Sequence, residues 1–180
     1  FYFFDYINIY FSLIYFNEIK MIKHTQKIKI KADCNKVWFF LMNFSQSLIY
    51  DKYYHKVELP PSYSVNQRLV FKVFCKYFFN IQDYKAIIET CLPPKEFSIK
   101  VMKNSNFSYT HKKIFVLKSI EDNKTLLSYT SSGMFKYKVL NIFFNFFIKA
   151  SCLNELKCIK VAIESSELDM RGEKYNTLKL

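Results

Sequence analysis

Glycine is almost missing from this chain: Gly133 and Gly172 are its only two in 180 residues. A Gly-rich phosphate loop, a GxGxxG turn and a GxSxG nucleophile turn are therefore all absent, which removes the nucleotide-binding and hydrolase sites that such turns build. Proline is confined to Pro60-Pro61 and Pro93-Pro94, so no Pro/Gly-rich linker divides the chain. Arginine supplies only Arg68 and Arg171 of the 27 basic side chains, a bias toward Lys, Phe, Tyr, Ile and Asn that looks like the codon pressure of an AT-rich genome. The five cysteines (Cys34, Cys75, Cys91, Cys152, Cys158) include no CxxC and none at metal-ligand spacing from a histidine, so no metal is expected. Their odd number argues against a disulfide framework and for small core residues in a reducing compartment.

One domain's worth of chain remains, long enough to bury its own core. The net charge of +12 favours an anionic partner by itself. The lysines are nevertheless spread along the chain, Lys27, Lys29 and Lys31 alternating on one strand face, and this reads as a solvated surface with no specific nucleic-acid partner. A weak attraction to an anionic membrane surface stays open. Residues 1–20 are rich in aromatics but lack the basic start and cleavage site of a secretory signal. Asp5, Asn8 and Ser12 interrupt them, leaving too little for the roughly 20 apolar residues of a membrane span. They read as an N-terminal hydrophobic extension outside the mature protein, with translation starting at Met21; a membrane anchor is the alternative. The expected location is cytoplasmic.

From Met21 onward, alternating apolar and polar positions dominate the chain. Ile28 and Ile30 alternate with lysines in a first strand. Asp33 or Asn35 can cap a helix whose inward set is Val37, Trp38, Leu41 and Met42, and a second short helix fits Ser45–Tyr50. Tyr53–Leu59 reads as a strand stopped by Pro60-Pro61. Asn66–Tyr77 places Leu69, Phe71, Val73 and Cys75 on one face against Arg68, Lys72 and Lys76. Phe79–Cys91 continues with Tyr84, Ala86 and Ile88 inward and Asp83, Lys85 and Glu89 outward. Glu96–Lys103 turns Phe97, Ile99 and Val101 inward. Tyr109–Ile120 and Thr125–Met134 form a hairpin across Glu121–Lys124, with Phe115, Leu117, Leu127 and Tyr129 inward. Residues 136–165 make a long helix: Cys152, Leu156, Ile159 and Ile163 form one apolar stripe, whereas Phe143, Phe144, Phe146, Phe147 and Ile148 surround the first half, which calls for enclosure. A polar tail, expected to be disordered, begins near residue 166. The fold class is α+β: a strand, one or two short helices, about six further antiparallel strands, and a final helix that covers the sheet.

Several local features in this order resemble the START-like (SRPBCC, Bet v 1-like) superfamily, especially its polyketide cyclase/dehydrase and lipid-transport branch. They are Ala32 followed by Val37-Trp38 and Leu41, Pro93-Pro94, Thr125 after a polar hairpin, and Leu153-Asn154-Glu155-Leu156-Lys157, within residues 22–165. Where the family usually has Gly entering the third strand, this chain has Asn66, which tolerates left-handed backbone angles. The resemblance implies a helix-grip fold, a curved antiparallel sheet of six or seven strands wrapped on the C-terminal helix, with a hydrophobic cavity between them.

The expected ligand-binding residues are Leu69, Phe71, Val73, Tyr84, Ile88, Phe97, Ile99, Phe115, Leu117, Leu127 and Tyr129 on the sheet and Phe144 and Phe147 on the helix, the last two as a lid. These aromatics either line a cavity or fill it. Tyr84, Tyr129 and Ser131 offer hydroxyls to orient a head group. Catalytic machinery is not legible: His24, His55 and His111 read as surface or edge residues, Asp83 and Glu89 as outward, and no nucleophile, base and orienting group come together. No cofactor is expected. The leading functional reading is non-catalytic binding or transport of a small hydrophobic, lipid-like molecule. The alternatives are a cyclase or dehydratase using the same cavity, and a membrane- or ribosome-associated interaction module.

Overall fold

The computed structural model describes residues 21–47, 54–61, 68–77, 80–102, 109–135 and 139–169. In chain order they form β1 (Ile22–Ile30), α1 (Cys34–Met42), α2 (Phe44–Ser47), β2 (Tyr54–Glu58), β3 (Val70–Tyr77), β4 (Asn80–Leu92), β5 (Glu96–Val101), β6 (Tyr109–Glu121), β7 (Lys124–Phe135) and α3 (Val139–Asp169). The strands make one curved, antiparallel, seven-stranded sheet in the order β1-β7-β6-β5-β4-β3-β2. Strands two to seven follow one another as a meander, and β1 returns to pair with the last of them, Ile22 opposite Gly133 and Ile30 opposite Thr125. The α+β plan and the final covering helix are as the residue pattern predicts.

Local chemistry sets the corners. Asp33 caps α1 by accepting a hydrogen bond from the Lys36 amide at 2.9 Å. The β6–β7 hairpin turns at Asp122-Asn123, where Asn123 takes φ 54°, a left-handed angle that asparagine adopts at low cost. At the entry to β3 the left-handed residue is Arg68, with φ 73°. Its amide donates to the Ile88 carbonyl at 2.7 Å and the Ile88 amide to the Leu69 carbonyl at 3.0 Å, which holds the bend in place. The expectation for Asn66 lies outside the described residues, as do those for residues 1–20 and for 48–50 of the second helix.

The apolar face of the sheet is closed by α3 and by α1–α2. Cys152, Leu156, Ile159 and Ile163 bury the α3 stripe, and Val37, Trp38, Leu41 and Phe44 fill the other side, all in one core with the inward strand residues. Hydrogen bonds tie the ends of α3 to β1: His24 Nε2 lies 2.8 Å from Asn145 Oδ1, and the Lys31 amide donates to Glu164 Oε1 at 2.8 Å. Thr125 Oγ1 donates to the Ala32 carbonyl at 2.8 Å, fixing the β1–α1 corner to β7.

Two expectations about the final helix need correction. It continues to Asp169, so the polar tail expected from near residue 166 begins inside a helix, and its expected disorder over 170–180 lies outside the described residues. Its aromatic first half is not enclosed, for Phe144, Phe146 and Phe147 are 37, 74 and 63% exposed. Only one stripe of a helix can meet a sheet, and these rings fall beside or opposite it.

Phe97→Ala, at the centre of this core, is expected to lower the unfolding free energy by about 3–5 kcal/mol, against less than about 0.5 kcal/mol for Phe39→Ala on the exposed face of α1. Urea denaturation measures both; equal effects contradict the described packing.

Candidate functional site

The inner face of the sheet collects the residues expected to bind a ligand. Phe71, Val73, Tyr84, Ile88, Phe97, Ile99, Phe115, Leu117, Leu127 and Tyr129 are buried in one cluster, with Leu69 half-buried against it. Register explains the assembly: Phe97 opposes Phe115 across β5–β6, and Phe115 opposes Tyr129 across β6–β7. Their rings stack at 4.6 and 4.7 Å, while Trp38 meets Phe97 edge-on at 5.8 Å and Phe44 stacks on Phe71 at 5.2 Å. These rings pack against one another between sheet and helices. Beside them lies a void of about 10 Å³, lined by Leu41, Phe44, Ser47, Phe97, Ile99, Phe115, Glu155 and Ile159, which is room for no more than one water. Phe144 and Phe147 stand outside this interior, their ring centroids 6.2 Å apart at the surface.

The interior is not wholly apolar. Lys113 on β6 and Glu155 on α3 face each other with side chains 5 and 4% exposed, and Lys113 Nζ donates to both Glu155 oxygens at 2.9 and 3.1 Å. The same ammonium lies 5.6 Å from the centre of the Tyr129 ring. Beside the pair, burial pushes the Cys152 thiol up to about 11, and the Glu155 carboxylate adds to the shift; Lys113 and hydrogen bonds with Ser131 and Tyr129 only partly oppose it. His111 is half-buried, its ring edge-on to Tyr84 at 5.7 Å. A carboxylate, an ammonium, a thiol and two hydroxyls thus converge on one region of an apolar core.

This corrects the expectation that the carboxylates face outward; His111, third in β6 and half-buried, keeps its place near the strand margin while its ring meets Tyr84. The signal is present in the sequence. The alternation that turns Phe115 and Leu117 inward also turns Lys113 and His111 inward, and Glu155 falls inside the stripe of Cys152, Leu156 and Ile159. The outward carboxylates are where the pattern puts them. Asp83 pairs with Lys72 at 3.1 Å, and Glu89 pairs with Lys112 and with Lys100 at 3.3 Å. The Lys112 hydrogen bond, more than any other contact, holds the Glu89 carboxyl below the usual carboxylate range. Among the described residues no group of three His, Cys, Asp or Glu side chains comes together as a metal site.

No family model and no curated protein sequence matches this chain. Its fold has many solved counterparts. The Zhui aromatase/cyclase from Streptomyces sp. R1128 matches with a TM-score of 0.67 at 11% identity, over 86% of this chain and 100% of that one. A START superfamily protein from Mycobacterium smegmatis matches with a TM-score of 0.68 at 8% identity, over 82% and 99%. Ara h 8.0201 matches with a TM-score of 0.62 at 10% identity, over 81% and 99%.

Removing one partner of the buried pair leaves an uncompensated charge in the core. Lys113→Met or Glu155→Leu alone is expected to cost about 3–5 kcal/mol, whereas the double variant recovers most of that loss or exceeds the parent. A denaturation cycle over the four proteins checks this, and additive losses contradict it. Cys152 gives a pH signature. From the ordinary 9.0 to about 11 the unfolded chain loses the thiol proton and the folded chain keeps it, so stability falls across that window. Cys152→Ala is expected to flatten that part of the stability profile; an unchanged slope contradicts the raised value.

Proposed function

We propose that this chain, which has the START-like (SRPBCC) helix-grip fold, binds a small, mostly apolar molecule between its sheet and α3, with Lys113 and Glu155 as the polar anchor for one end of it. The observation that carries the reading is the buried pair itself. Two ions cost several kcal/mol each to take out of water, and a well-packed apolar replacement is often as stable or more so. A core that keeps them, next to the void that Glu155 helps to line, holds a group that stability alone does not call for. A ligand head group reaching that void can exchange hydrogen bonds with the pair, while its apolar body replaces contacts among Leu41, Phe44, Phe97, Phe115 and Ile159. Burial of that body contributes roughly 25 cal/mol per Å².

This void holds no more than one water, so a ligand that uses it requires the core around it to open. The void abuts Leu41, Phe44 and Ser47 of α1–α2, and these short helices carry fewer turns than α3, so opening is assigned to their side. Ser47 Oγ donates to the Leu41 carbonyl at 2.9 Å and latches α2 onto α1.

A second reading follows from the inward carboxylate. In it Glu155, buried and hydrogen-bonded to the Lys113 ammonium, would accept or return a proton from a bound substrate, which cyclase or dehydratase chemistry requires. The aromatase/cyclase match supports this only at the level of fold.

The test is solvent extraction of the purified protein followed by mass spectrometry, together with titration by a fluorescent fatty acid. A co-purifying apolar compound with a polar end, and saturable binding lost in the Lys113→Met/Glu155→Leu variant, are the expected results. Empty protein that takes up no probe, or equal binding by the double variant, defeats the proposal. Turnover of the extracted compound that Glu155→Gln abolishes without loss of binding establishes the second reading.

A further inference from the structure

The first half of α3 has an outer face that neither the core nor the proposed ligand site uses. Phe146 and Phe147 are 74 and 63% exposed, their ring centroids 6.2 Å apart, and Phe144 adds a third ring at 37%. At 3.6 residues per turn, Phe146, Ala150, Leu153 and Lys157 run along one line of the helix, and Phe147, Asn154 and Val161 run beside it. Leu153 and Val161 are themselves 39 and 66% exposed. The buried stripe of Cys152, Glu155, Leu156, Ile159 and Ile163 lies on the opposite side. This helix is therefore apolar on two faces, one against the sheet and one against solvent. Exposed apolar surface gathered this way marks an interaction site, whereas scattered apolar residues do not.

Charge decides what the face fits. From Val139 to Asn154 the helix contains no Asp or Glu, and Glu155 is turned inward onto Lys113. Lys149 and Lys157 are exposed on the helix, with no carboxylate three or four residues away from either. Phenylalanine and aliphatic side chains flanked by Lys149 and Lys157, with Glu164 at the far end engaged by the Lys31 amide and by Lys160, complement the anionic headgroup layer of a bilayer. A second copy of the chain fits less well, since a two-fold partner would bring a second face bearing Lys149 and Lys157 against this one. Single-stranded nucleic acid uses rings and lysines, but it has no use for Leu153 and Val161.

We infer that this outer face of α3 docks on an anionic lipid bilayer, with Phe146 and Phe147 entering the headgroup boundary and Lys149 and Lys157 meeting acidic lipid. The chain lies on the surface there, because no helix among the described residues is long and apolar enough to cross a membrane. The docking is independent of whether the interior takes a ligand.

Co-sedimentation of the full chain with vesicles tests it, comparing phosphatidylcholine alone with phosphatidylcholine in which about a quarter is replaced by phosphatidylserine. The wild type is expected to sediment with the anionic vesicles only, and less as salt is raised. Phe146→Ser/Phe147→Ser is expected to reduce partitioning by about tenfold or more. Lys149→Glu/Lys157→Glu is expected to do the same on anionic vesicles by removing roughly fivefold or more per site. All four side chains are exposed, so thermal melting of both variants should match the parent. The inference is overturned if the wild type stays in the supernatant, or if folded variants sediment as well as the parent. It is likewise overturned if the Phe variant instead dissolves a dimer, or loses single-stranded RNA, in a protein that ignores vesicles.

Discussion

A sheet with one apolar face has to be covered along its whole length, and the position of every element in this protein follows from how that is done. Seven strands in one curved layer turn Phe71, Tyr84, Phe97, Phe115, Leu127 and Tyr129 to the same side. One helix of 31 residues, about 45 Å long, lies across that side. The pairing of β1 with β7 and the hydrogen bonds from His24 and Lys31 to α3 bind the first strand to the last helix, so the cover is anchored at both ends. The short α1–α2 pair fills the space that one straight helix leaves over a curved sheet.

Placing a helix across the sheet also creates the interior's chemistry. Lys113 belongs to β6 and Glu155 to α3, 42 positions apart, and only the crossing of the two elements brings them within hydrogen-bond distance. Once there, neither is removable alone without stranding the other, and their charges act on the Cys152 thiol beside them. The pair thus couples the geometry of the grip to any polar group that enters it. That coupling is what the proposed binding function rests on, although the aromatic rings of the interior are stacked in contact.

The same helix meets two environments. Its inner stripe obeys the requirement of the sheet, while Phe146, Phe147, Leu153 and Val161 obey none that the fold imposes. Apolar side chains held in water by a packed scaffold are the basis of the proposed docking face, and Lys149 and Lys157, with no carboxylate three or four positions along the helix, supply its charge.

Much of this architecture is legible in the residue pattern. The period-2 alternation identifies the inward residues of β3 to β7, because a strand pleated on one buried face leaves no other pattern. Asp33 and Asp122-Asn123 mark a helix start and a turn through their own hydrogen bonding and backbone tolerance. The ion pair is half legible: alternation puts Lys113 inward and helical spacing puts Glu155 in the buried stripe, yet nothing in either local pattern says that the two meet. The enclosure expected around the first half of the helix fails at Phe144, Phe146 and Phe147, while Ile148 packs against the core, since an all-apolar stretch fixes what a helix would bury and not how much surface its neighbours can offer. Left-handed Arg68, too, is held by its hydrogen bond to β4 and not by residue preference. The sequence by itself determined the fold class, the strand faces and the covering helix, because those depend on periodicities within a single element. The tertiary structure alone decided that the core holds a charged pair and that one aromatic face stays in solvent, because each of these depends on distances between elements far apart in the chain.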